Sequence, residues 1–363
     1  MEIYIIVFVL EMFLGVVFLG TTPRKAVKTR KVLYLIITTL ILGTLGGLRS
    51  SLVGYDTESY YIAFTKTSDT LGGILDNDQH IETGFAALCT LVKVLGGNFT
   101  HLLLLCSFFI VGSFCVFIYR HSSNVLLSIF ILLCFPYYYS SFDIIRHFVA
   151  TSFLLLGFQY ILKGNFRKYL LFVLMGAVFH NSALIYLILY PLLRAKWSKT
   201  LGFLLLGAAI ILMLYSKLFA NFVVEETGRF GTIAEEWVGG YSGGILTCVM
   251  YFAVFVIVLL AKNNKILFSK NDSVWVICAF LLFICSIIFI EARIAIRYIM
   301  VFSGLLAVAV PNMLEVTTVR KRSFNTLLLT SFIIVGLAYH AFMLLTSWQN
   351  VVPYIPVMLN PYL

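Results

Sequence analysis

Five ionisable side chains lie in, or hard against, apolar stretches long enough to cross a bilayer: Arg49, Arg146, His180, Arg293 and Arg297. A charge in hydrocarbon is costly, so such residues usually face protein-lined or watery space and mark functional sites. Four arginines and one histidine, with few acids nearby, predict a cavity that holds an anion. In EARIAIRYIM, Arg293 and Arg297 stand four apart and share a helix face. Planar guanidinium groups grip phosphate through paired hydrogen bonds and stay charged where water is scarce. The pair reads as a phosphate or pyrophosphate clamp, since Glu291 can meet only one of them at a time. Snorkelling to the headgroups plus a local salt bridge is the plainer reading. Snorkelling competes with anion contact at Arg49 too, which closes the second apolar stretch. Arg146 follows Asp143 by three residues in FDIIRHFVA, where a local ion pair is the competing explanation.

His180, in AVFHNSAL, carries an imidazole, the side chain best suited to take a proton from a hydroxyl at neutral pH. A buried histidine can equally be a structural donor. Asp56, behind Gly54 in LVGYDTESYY, is placed to cap a helix start, with Tyr60 and Tyr61 as an aromatic pair. Pro136–Tyr139 forms a second aromatic wall. Tyrosine faces pack against sugar rings, and they also suit any bilayer interface. Tyr60, Tyr138 and Tyr298 are the candidate sugar contacts. No P-loop, dinucleotide glycine fingerprint or HExxH motif is present, and the seven cysteines lack metal-ligand spacing. Neither a metal nor a cofactor is expected.

The elements that position these residues follow from composition. Of 363 residues, 61% are hydrophobic and only 12% charged, which excludes a soluble globular domain. An all-α polytopic membrane protein is expected, a single integral membrane domain over 1–363 with about ten to twelve transmembrane helices. Ten clear spans fall at about 3–20, 32–48, 100–119, 124–140, 145–163, 201–219, 243–261, 274–291, 295–312 and 324–347. The first is read as a retained span that also directs insertion. The net charge of +10 sits in short loops, the positive-inside pattern, so nucleic acid is not an expected partner.

Placing every basic loop on the cytoplasmic side leaves two segments out of parity. Segment 82–97 is short and carries Glu82 and Lys93, so it is expected to be an interfacial or re-entrant helix behind an external loop at 49–81. Segment 169–193 has basic residues at both ends. Two short halves hinged near His180–Asn181 restore parity, and a single span with an outward basic loop is the alternative. The acidic stretch 220–242 and both termini are then external.

At these residues the chain resembles the Wzy-type polysaccharide polymerases of the EpsG-like family. The likeness rests on Leu48–Phe64, Glu82–Leu88, Arg146–Leu184, Arg297–Met300 and Val351–Tyr354. The chain has Gly54-Tyr55-Asp56-Thr57 where that family usually has Gly-Thr-Asp-Thr, and Glu82-Thr83-Gly84-Phe85 for Glu-Pro-Gly-Phe. The resemblance implies a GT-C-like multi-span glycosyltransferase architecture in a bacterial inner membrane, acting at its outer face. It implies transfer of a growing glycan from undecaprenyl pyrophosphate to a sugar hydroxyl of the next lipid-linked repeat unit. Donor and acceptor glycolipids and membrane lipid are the implied partners, with a chain-length regulator protein as a further one. On that reading His180 is the base, Asp56 or Asp143 the fallback, and the arginines meet the pyrophosphate. A flippase of an anionic lipid-linked sugar, an O-antigen ligase and a polysaccharide acyltransferase are the competing functions.

Overall fold

In hydrocarbon every backbone N–H and C=O must be satisfied within the protein, and an α-helix does this without outside partners. The computed structural model describes residues 1–20, 27–74, 81–215, 244–264, 270–291, 295–315 and 322–359. Among them the regular structure is helical, apart from one isolated bridge between Arg49 and Pro356. In chain order the helices are α1 (Glu2–Leu19), α2 (Val27–Gly47), α3 (Thr57–Lys66), α4 (Thr83–Val94), α5 (Phe99–His121), α6 (Val125–Cys134), α7 (Tyr137–Ser140) and α8 (Ile145–Lys163). There follow α9 (Phe166–Phe179), α10 (Leu189–Arg194), α11 (Lys199–Leu214), α12 (Gly244–Asn264), α13 (Lys270–Phe289), α14 (Ala295–Leu314) and α15 (Arg322–Leu345). Eight of them are long and apolar enough to cross a membrane: α1, α2, α5, α8, α12, α13, α14 and α15. The protein is an all-α, multi-pass membrane protein.

Two of the ten expected spans take another form. Stretch 124–140 breaks before Pro136, whose ring removes a donor and holds Phe135 extended at φ −111°, ψ 166°. The result is the ten-residue α6 followed by the short α7. Stretch 201–219 gives the sixteen-residue α11, with positions 216–219 outside the described residues. The 49–81 stretch, expected as a loop, carries α3. At twelve residues α4 is too short to cross. It buries Phe85, Ala86, Cys89, Thr90 and Val92 and packs on α3, α5 and α9.

The described chain forms two compact units, Met1–Pro191 with Tyr339–Leu363, and Leu192–Ala338. In the first, α2 lies along α5, α5 along α8, and α8 along α9. Gly47 permits the α2–α5 approach: a Cβ there would come within 2.7 Å of the Leu104 backbone. In the second, α13 packs on α11, α12 and α14, and the Trp197 ring meets Phe255 and Phe280.

The first unit contains the reversal that the basic loops around 169–193 demand. After α9, His180 is extended, and the chain returns as a 3-10 helix, Asn181–Ile188, leading into α10. Tyr169 near the start of α9 donates its hydroxyl to Tyr186 O at 2.6 Å and stacks on Tyr190. Positions 169 and 190 are therefore neighbours, and His180 is the apex of a hairpin.

Candidate active site

Three charged or titratable side chains from distant parts of the chain meet beside that apex. Glu82 precedes α4 with extended backbone and makes no cap bond to the helix, so its carboxylate points elsewhere. Its Oε2 accepts from Arg146 Nη1 at the start of α8, and its Oε1 lies 2.7 Å from His180 Nδ1. The side chains keep a little exposure, 13% for Glu82, 16% for His180 and 22% for Arg146. Burial alone would raise the Glu82 carboxyl, but the His180 hydrogen bond and the Arg146 charge outweigh it and hold it down to about 2. An ionised carboxylate only accepts, so Nδ1 carries the imidazole proton and Nε2 presents the lone pair of neutral His180. This is the carboxylate–histidine arrangement that orients a general base.

A second network ties the apex to α8. His147 Nδ1 lies 3.0 Å from Ser182 Oγ, and its Nε2 lies 3.2 Å from Tyr186 Oη. Tyr186 Oη is 2.9 Å from Thr151 Oγ1, which itself donates to His147 O. Thr151 has thus used its proton, so Tyr186 donates to Thr151 and accepts from His147 Nε2–H, while Nδ1 shares a hydrogen bond with Ser182. The His147 ring meets that of His180 edge-on, with centroids 5.2 Å apart.

The third side of the site is the turn before α3. Asp143 Oδ1 accepts the Asp56 N–H at 2.7 Å, across 87 residues of sequence. Gly54 makes the approach feasible with φ +98°, since a Cβ there would stand 2.7 Å from Thr57 Oγ1 and 2.9 Å from Phe142 O. The capping role expected of Asp56 is corrected, since its side chain makes no cap bond to α3. The Tyr60 ring, on α3, lies 5.4 Å from the Arg146 guanidinium carbon. Among the described residues no group of three or more His, Cys, Asp or Glu is placed to hold a metal ion.

The EpsG family model matches residues 32–355, which take in Asp56, Glu82, Arg146 and His180. The chain belongs to the EpsG family. No curated protein and no solved structure matches it. Membership in the EpsG family supports a polysaccharide-polymerase type of function in general.

The EpsG-family protein brings Asp56, Tyr60, Asp143, Arg146 and His180 together, and it disposes of the other candidates differently. Arg49 is 2% exposed, donating Nη1 to Gly46 O and Nη2 to Phe142 O, with its carbon 4.8 Å above the Phe142 ring. Burial pulls its pKa down to about 10, which leaves it charged at neutral pH. It is a strut between α2 and the α7–α8 turn, correcting the expectation of an anion contact: a phosphate would first have to break both carbonyl bonds. Tyr138, expected to meet sugar, is 1% exposed and gives its hydroxyl to Leu42 O at 2.8 Å. Tyr137, Tyr138 and Tyr139 are core, interlocked edge-on with Tyr4, Phe142 and Phe148. Arg297 and Tyr298 open α14 in the second unit, and Arg293 lies outside the described residues, as does the acidic stretch 220–242.

Sequence reasoning missed Glu82 as a site residue of this EpsG-family protein, reading it only as a mark of a short surface segment. His147 was missed as well. The available signal was an acid at the head of an otherwise apolar helix whose own start it does not need.

Proposed function

We propose that this EpsG-family protein polymerises lipid-linked oligosaccharide repeat units at the outer face of a bacterial inner membrane. The glycan on one undecaprenyl pyrophosphate passes to a sugar hydroxyl of the next lipid-linked unit. The observation that carries this reading is one acid, Glu82, holding both a histidine and an arginine at a partly exposed site. His180 Nε2 takes the proton of the acceptor hydroxyl as its oxygen bonds to the anomeric carbon. The bond from that carbon to the pyrophosphate oxygen breaks, and its electron pair leaves with the pyrophosphate. Arg146 meets the charge that develops there, the kind of preorganised electrostatics that often dominates catalysis. Arg297 and Arg293 are separate candidates for anion contact in their own right, and Tyr60 is the candidate for a sugar face. Asp56 and Asp143 are the reserve bases.

Deletion in the host, followed by sizing of the surface polysaccharide, tests the reading. Loss of long chains with single repeat units still attached supports it. Loss of every repeat unit points to a flippase or ligase, and unchanged chain length sinks the proposal.

A further inference from the structure

Glu82 is the shared partner of the group that takes up the proton in the proposed reaction and the group that meets the leaving anion. Each of its oxygens is committed to one of them, Oε2 to Arg146 and Oε1 to His180. While His180 is neutral, the single negative charge of Glu82 is drawn chiefly to Arg146, which is charged at all times. Once His180 gains a proton, two cations compete for one carboxylate. Arg146 is then less neutralised, and its field turns outward to any anion beside it.

We infer that Glu82 is a positioning residue that links proton uptake at His180 to anion binding at Arg146. During transfer, the acceptor hydroxyl proton moves to His180 Nε2, the new C–O bond forms, and the old C–O bond to pyrophosphate breaks. The charge appears on the leaving group in the same step that releases Arg146 from Glu82. The proton later passes from His180 to water, and Glu82 returns to Arg146 as undecaprenyl pyrophosphate departs. The groups facing His180 agree with this. Glu82 stands at the head of α4 and bonds His180, His147 comes from α8 with its ring edge-on to that of His180, and His147 in turn meets Ser182 and Tyr186 of the hairpin. The Tyr60 ring lies against Arg146, and the charges of Asp56 and Asp143 reach Tyr60. Lys93 on α4 is turned away, bonded to Thr65 O and Thr67 O.

Linkage is reciprocal: if protonation of His180 favours the anion, the anion favours protonation. The inference rests on Arg146 being an anion site, and inorganic pyrophosphate binding to the full chain in nanodiscs tests both together. Affinity is measured from pH 8 to pH 5.5 for the wild type, Glu82→Gln and His180→Gln. Protonation of pyrophosphate itself is common to all three, so the variants are compared at each pH. The wild type should gain affinity on acidification relative to His180→Gln, by roughly fivefold as in modest linked sites. Glu82→Gln should bind more tightly than wild type at pH 8, because no carboxylate then neutralises Arg146 at any pH, yet polymerise poorly. A merely structural Glu82 would give the opposite, weaker binding in the variant. If wild type and His180→Gln share one pH profile, the linkage is wrong while the anion site stands. If wild type binds no pyrophosphate at any pH, both fail. His180→Gln keeps a donor for Glu82, so it serves even if Glu82→Gln misfolds.

Discussion

Glu82 Oε1 and His180 Nδ1 stand 2.7 Å apart although 98 residues separate them in sequence. The contact joins the head of α4 to the apex of the 169–193 hairpin and fixes which imidazole nitrogen faces outward. Removing either partner should therefore cost nearly the whole general-base contribution. Glu82→Ala and His180→Ala should each slow polymerisation by about 10²-fold or more. The double variant should fall little further, because residues acting as one unit are not additive. Chain-length ladders at matched expression measure this, and a multiplicative double loss would show two independent roles.

The Glu82 carboxyl also makes stability depend on acid. Its folded pKa of about 2 lies below the ordinary 4.5, so its ionised contacts stabilise the fold above 4.5. That contribution should drain away as pH falls from 4.5 towards 2. Thermal unfolding of the detergent-solubilised protein should show a midpoint falling through this window, with a shallower fall in Glu82→Gln. Parallel curves would remove Glu82 from the account.

Tyr138→Phe should leave polymerisation intact while lowering stability by about 1 kcal/mol, the usual worth of one hydrogen bond. The hydroxyl reaches Leu42 O in the core and not a ligand. A loss of activity at normal stability would restore Tyr138 as a sugar contact.

Gly54→Ala should destabilise the protein by roughly 1–3 kcal/mol, since a side chain at φ +98° would also strike Thr57 and the Phe142 carbonyl. The Asp56–Asp143 contact depends on that turn, so activity should fall with it. Wild-type unfolding and activity in the variant would show that the turn relaxes freely.

The hairpin predicts sidedness. Cysteines placed at Lys163 and Lys196 should react with an impermeant thiol reagent from the same side of the membrane. Labelling from opposite sides would require a single crossing between them.

Much of this was legible from charge in the wrong place. Arg146 and His180 stand out because hydrocarbon tolerates so few ionisable groups, and the reversal at His180 follows from basic residues at both ends of one apolar stretch. Hydropathy could not tell a core tyrosine from an interfacial one, so Tyr138 was misplaced. Arg49 was misread for a related reason: two backbone carbonyls take bonds from its terminal nitrogens, and carbonyls leave no trace in a sequence. Glu82 escaped because its partners lie 64 and 98 residues away. Pairing over such distances is set by how α4, α8 and the hairpin pack, which no local spacing encodes.

The turn bearing Asp56 is held from far downstream. Ser50 N–H reaches Ile355 O at 2.7 Å, Gly54 N–H reaches Asn350 O at 3.0 Å, and Tyr354 gives its hydroxyl to Leu45 O, 309 residues away. Ser347, Gln349 and Asn350 adopt left-handed backbone to deliver that segment, and Trp348 pins it to Ser140. During synthesis, at about 5–20 residues per second, the upstream turn would wait on the order of tens of seconds for its clasp. A nascent chain already threaded into the bilayer would thus carry an unfinished wall at the candidate site, and the protein would come of age only once the segment around residue 355 has been made.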